Sequence, residues 1–380
     1  MSQAALFPSV ESAAPLQLND FDAAGFDIGW DHARYQIVPP AKHLHGGHPV
    51  RQGWQAGRSV FRSRTLHPTP AVRQWLHLRL MAWLNGQAFE GVQVTPNFLA
   101  QLVASHCPVT GEPLDPSDMN GCRVFEDAAY AAGNLVALSE RARKAKAGRD
   151  WRAALDCARR IESGEVTSID GLIAGEWSRL AVLMSFATPL AHREAATLPL
   201  LVLPPNRVRI LNAVQALQAL LTLQFTHAGY ARRLLDLAAV VPDMSTRQDF
   251  HVFMQTLLAR RVAAGPLTDG ANLRQALIDA WLHPLVQRRW QRLALRLSEA
   301  DCERIVQYAG RRGLVDEGCR WLPREAATDG WALETEGRAV MTSEGFLSSR
   351  SRSRERGGMR GIDTRRPPIL AATSKALGSR

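Results

Sequence analysis

The chain has 380 residues and is 46% hydrophobic and 22% charged, a balance that excludes a wholly disordered protein and makes more than one folded unit the expectation. Its net charge is +10 and its pI near 10, but Leu347 to Arg380 alone carries +7, so residues 1–346 hold only +3. No run approaches the roughly 20 consecutive apolar residues of a membrane span. Met1 to Asn19 has no basic start and contains Glu11, so no signal peptide is predicted and a cytoplasmic location is expected.

Residues 1–68 read as an irregular segment, interrupted by Pro39-Pro40 and Gly46-Gly47. Thr69-Pro70 is a helix start signal, an N-cap followed by a first-turn proline. Val72, Trp75, Leu76, Leu80, Trp83 and Leu84 follow at helical spacing, and Asn85-Gly86 ends the helix. Thr95-Pro96 repeats the signal ahead of Phe98, Leu99 and Leu102. Cys107 to Gly133 is rich in turns, and a helix is predicted to begin at Asn134.

The apolar stretch Ala195–Pro205 reads as a buried, extended connector. Arg207 to Val240 is a long helical pattern broken near Gly229, and Ser245 or Thr246 caps another helix. Helices follow over about 272–282 and after Pro284, and Ser298 with Asp301 opens a last one. From Gly330 the periodicity fades, and Ser348–Arg356 is low in complexity. The expected fold is mainly α: an irregular segment over 1–68, helices with a small ββα-like insert over 69–148, a helical domain over 149–322, and a linker with a disordered Arg/Ser-rich tail over 323–380.

Five cysteines (Cys107, Cys122, Cys157, Cys302 and Cys319) with no CxxC pair argue against a disulfide framework and a four-cysteine zinc knuckle. The chain also lacks GxxxxGK[ST], GxGxxG, HExxH and GxSxG, so P-loop, Rossmann, zincin and α/β-hydrolase chemistry lose their usual support.

One stretch does carry a chemical pattern: CPVTGEPLD from Cys107, then CRVFEDAAYAAGNLVALSERARKAKAG from Cys122 to Gly148. It resembles the ββα-metal module of HNH-type nucleases, closest to phage- and plasmid-borne variants without zinc, over about residues 105–148. Cys107, Thr110 and Gly111 match that family's opening, Gly133, Asn134 and Leu135 its Gly-Asn-Leu, and Lys146 lies near its late lysine. The resemblance implies single-metal phosphodiester cleavage, with a histidine base and a metal-holding carboxylate. Here Cys122 stands at the metal-binding Asp position, Arg123 at the His, and Arg143 at the terminal His or Asn. Thr110, Ser139 and Ala142 occupy three of the four zinc-ligand positions. His106, Asp127 and Asn134 are the candidates for a rearranged catalytic set, with a divalent metal as cofactor.

Glu140 to Arg160 carries +5, and Arg141, Arg143, Lys144, Lys146 and Arg149 are the expected contacts to a DNA phosphate backbone. His43, His45 and His48 form an HxHxxH cluster, the other candidate metal site. The leading expectation is a nucleic-acid-associated protein with a non-catalytic HNH-like module. A helical interaction or scaffold protein with a protein partner, and a divalent-metal DNA endonuclease with rearranged ligands, are the alternatives.

Overall fold

Helical structure begins earlier than the sequence suggests. In the computed structural model, which describes residues 20–115, 121–265, 270–315 and 321–339, α1 (Asp20–Arg34) and α2 (Pro49–Phe61) lie inside the segment expected to be irregular. Pro39-Pro40 and Gly46-Gly47, the breakers on which that expectation rests, lie in the connection between the two helices. The two helices run side by side in the same direction, Gly25 against Pro49 and Gly57 against Ala33. A Cβ on Gly29 would strike the Val50 carbonyl oxygen, and one on Gly53 that of Phe26. The glycines therefore allow backbone-to-backbone packing that any side chain would forbid.

α3 (Pro70–Leu84) and α4 (Pro96–Ala100) start as the sequence indicates. Thr69 accepts from the Val72 amide and Thr95 from the Phe98 amide, both at 3.3 Å. β1 (Gly121–Arg123) then pairs antiparallel with β2 (Leu135–Ala137), with Cys122 opposite Val136. The helix expected at Asn134 starts later: Asn134 leads into β2, and α5 (Glu140–Lys146) is capped by Ser139.

The helical body follows. α6 (Trp151–Glu162) packs on α7 (Ala174–Phe186), and α8 (His192–Thr197) precedes an extended stretch in which Leu198, Leu200 and Val202 are buried. α9 (Ala213–Leu223) is buried along its whole length, so its polar residues need internal partners. Gln218 donates to the Leu198 carbonyl at 2.9 Å and Thr222 accepts from the Trp281 indole at 3.1 Å. Gly229, in the left-handed region, starts α10 (Tyr230–Ala238). Asp243, not Ser245 or Thr246, caps α11 (Met244–Ala263).

α12 (Gly270–Ala280), α13 (Pro284–Ala294) and α14 (Glu299–Arg311) complete the body, and Ser298 and Asp301 cap α14 reciprocally. The expected boundary at 148/149 is not a break in packing, since one core runs from Cys107 to Trp331. Nor do residues 323–339 form a linker. After α15 (Arg324–Ala327) the chain crosses back over the loop between the strands: the Ala129 amide donates to the Trp331 carbonyl, the Trp331 indole to Ala132, and the Ala88 amide to Gly337. The Arg/Ser-rich tail lies outside the described residues. Among the described residues, no helix is long and apolar enough to cross a membrane.

Candidate functional site

The hairpin and α5 form a ββα unit whose interior is built from the residues the sequence singled out. Cys122 faces α5, near Lys146 and Arg143. Burial pushes its thiol up to about 11, against the opposing pull of Lys146, so the thiol is neutral at physiological pH. Arg123 is 7% exposed and structural. Its Nη1 donates to the Glu126 and Ala128 carbonyls at 2.6 and 3.0 Å, and its guanidinium lies 4.9 Å from the Tyr130 ring centre.

Asn134 is fully buried and holds the loop that follows β1. Its Oδ1 accepts from the Phe125 amide at 2.8 Å, and its Nδ2 donates to the carbonyls of Phe125 and Ala129 at 3.0 Å each. Both amide hydrogens are used, which leaves Asn134 a clamp and removes it from any catalytic set.

At the other end of the unit, Cys107, Thr110, Ser139 and Ala142 meet. The Thr110 and Ser139 hydroxyls lie 3.1 Å apart, and Ser139 accepts from the Ala142 amide at 3.3 Å. Burial alone would raise the Cys107 thiol, but hydrogen bonds from Ser139 and Thr110 outweigh it and hold the thiol below its usual value. Hydrogen bonds thus join the segments at this junction. Arg141 extends it, donating to Glu112 at 3.0 Å and to both Glu176 oxygens at 2.8 and 3.0 Å.

The basic run is therefore not one open face. Arg141 pairs with Glu112 and Glu176, Arg149 with Asp170, and Lys146, 2% exposed, with Glu126. These residues hold the unit to its loop and to the helical body, which corrects their assignment as phosphate contacts. Lys144 is exposed but pairs with Glu140, and Arg152, Arg159 and Arg160 pair with Glu194, Asp156 and Glu165. Among the described residues, only Arg143 of that run is exposed with no carboxylate partner.

His106, Asp127 and Asn134 do not make a metal site. His106 is exposed, hydrogen-bonded to Ser105 at 3.0 Å, at the edge of an open cavity of about 130 Å³ walled by Leu102, Val103, Val136 and Leu203. No carboxylate is among the residues lining that cavity. Asp127 is exposed in the loop. The rings of His43 and His48 lie 5.1 Å apart and those of His45 and His48 4.8 Å, so the cluster forms. His48 Nδ1, however, accepts from the Val50 amide and starts α2. Among the described residues, no group of three His, Cys, Asp or Glu side chains is arranged to hold a metal ion.

The strongest charge feature lies upstream of the motif and is legible by simple counting. From His32 to Phe89 the chain has no acidic residue and eight basic ones. The Glu140–Arg160 run, by contrast, is met by carboxylates contributed from as far away as Glu112 and Glu194.

No protein-family model matches the chain, and neither a curated protein nor a solved structure is similar to it.

Proposed function

We propose that this protein associates with nucleic acid through phosphate contacts, and that its ββα unit acts by shape and charge without cleaving. The observation that carries this reading is what stands at the positions of the resembled catalytic set. The resembled chemistry needs a base and a metal-holding carboxylate there, and this chain has a neutral thiol, a buried Arg123 and the exposed, unpaired Arg143. A guanidinium in that place attracts a phosphate and cannot deprotonate water.

The scaffold reading is favoured by a different observation, the internal pairing of the other cations between Arg141 and Arg160. Binding of the full chain to a labelled duplex, followed as a function of salt, separates the two. Affinity that falls steeply with salt supports nucleic-acid association, and no binding at low salt supports the scaffold. Incubation of the same duplex with Mg²⁺ should leave it intact, and cleavage would overturn the non-catalytic assignment.

A further inference from the structure

We infer that the lobe built from α1, α2 and α3 is a docking surface for the phosphate backbone of duplex DNA, with Arg51, Arg58 and Arg62 as its central stripe. This inference rests on the nucleic-acid reading above and moves the main contact surface outside the HNH-like stretch. Residues 32–89 carry +8, and the four aspartates of α1 (Asp20, Asp22, Asp27 and Asp31) bring residues 20–89 to +4; the acids of the lobe are thus confined to α1, and α2, α3 and the segments between them carry cations only.

The fold turns this composition into a face. Gly53 and Gly57 put one side of α2 in backbone contact with α1. Arg51 and Arg58, and Arg62 at the C-cap, follow at i, i+7 and i+11, within an arc of about 40° around the helix and roughly 140° from the glycine side. Arg58 and Arg62 are exposed and Arg51 is half-buried. Arg34, Lys42, Arg64 and Arg73 are exposed on the same lobe. Among the described residues, only Arg79 of these eight cations pairs with a carboxylate, Asp31. Contrast this with the run after Glu140, where almost every cation meets an acid.

Three further observations select the occupant. Unpaired guanidiniums spread along a helix match a rod carrying one charge per about 1.7 Å. Every Phe, Tyr and Trp ring of the lobe is buried or half-buried, so these rings offer no open stacking platform for single-stranded bases. The surface also continues toward the ββα unit, because Lys42 and Arg143 both lie near His77 of α3.

The test uses the full chain and a labelled duplex of arbitrary sequence in anisotropy titrations at several salt concentrations. Arg51→Gln, Arg58→Gln and Arg62→Gln combined should weaken binding at least tenfold and lower the log–log salt slope by up to about 2.7, at about 0.9 per lost contact. The matching Arg→Lys triple variant should retain the slope, which separates charge from any effect on folding. An unchanged slope in the Gln variant, with the parent chain binding normally, overturns the inference and leaves the nucleic-acid reading standing. A parent chain that does not bind duplex overturns that reading and the inference with it. Stripe-dependent binding to phosphatidylserine vesicles, with duplex binding indifferent to the stripe, overturns the inference in favour of an anionic membrane surface.

Discussion

Lys146 and Glu126 form an ion pair between the last turn of α5 and the loop after β1, and the two ends are unequally covered: the lysine side chain is 2% exposed and the glutamate 37%. Glu126 also holds Arg123, so one carboxylate neutralises two buried cations. The pair is therefore asymmetric under mutation. Glu126→Gln strands Lys146 and Arg123 and should cost about 3 kcal/mol or more, whereas Lys146→Met leaves a glutamate that still has Arg123 and water, and should cost less than about 1 kcal/mol. Urea unfolding of both variants checks this, and equal costs would dissolve the argument.

Asn134 makes the second prediction. Replacement by Ala leaves the Phe125 amide and the Phe125 and Ala129 carbonyls without their partner inside the protein, at a cost of about 2–4 kcal/mol. Asn134→Asp keeps the acceptor and loses both donors, so it should also destabilise. A shift in the unfolding midpoint worth less than about 0.5 kcal/mol for the Ala variant would show that the loop is held by other means.

The glycine contacts between α1 and α2 predict a contrast within one residue type. Gly29→Ala and Gly53→Ala place a methyl group on a neighbouring carbonyl oxygen and should cost about 3 kcal/mol or more. Gly175→Ala, in α7 with open space around it, removes only the entropic cost of glycine and should stabilise by about 0.5–1 kcal/mol. Thermal melts of the three variants read both signs.

Four histidines of the N-terminal lobe give a pH dependence. Burial depresses His32, His43, His48 and His77, with smaller contributions from neighbouring charges such as Arg79, Lys42 and Arg143. A depressed imidazole binds its proton in the unfolded chain before the folded one, so its share of stability is complete above about pH 6.5 and is lost as pH falls below that value. Tm should be flat from pH 7 to 8 and fall between about 6.5 and 5, less steeply when His43 and His48 are both changed to Gln. A Tm that rises on acidification would mean that these rings gain acidic partners. Glu112 and Asp301, held low by hydrogen bonds, act in a separate window at lower pH.

Helix starts were legible wherever a cap and a proline coincide, at Thr69-Pro70 and Thr95-Pro96, because those signals are local. The mainly helical class followed from periodicity in the same way. Asn134 was assigned as a cap because Asn favours that role, but its side chain bonds a loop beginning nine residues earlier, a relation no local window contains. The α1–α2 pair was not legible because the breakers Pro39-Pro40 and Gly46-Gly47 sit in its connection, and the glycine contacts that hold the helices together lie between segments distant in sequence. The cations after Glu140 are a related case: Arg141 meets a glutamate 35 positions away, so sequence shows the charge but not its neutralisation.

The return of residues 331–337 onto the inter-strand loop fixes an order of events during synthesis. Ala132 leaves the ribosome 199 residues before the Trp331 indole that bonds it, so the hairpin is translated long before its cover. A chain that ends short of Trp331 would carry the complete ββα sequence yet leave the Ala132 carbonyl and the Ala129 amide without these partners. Maturation of the unit is thereby tied to synthesis through Trp331, and a nascent or truncated chain short of that residue is kept from presenting its finished form.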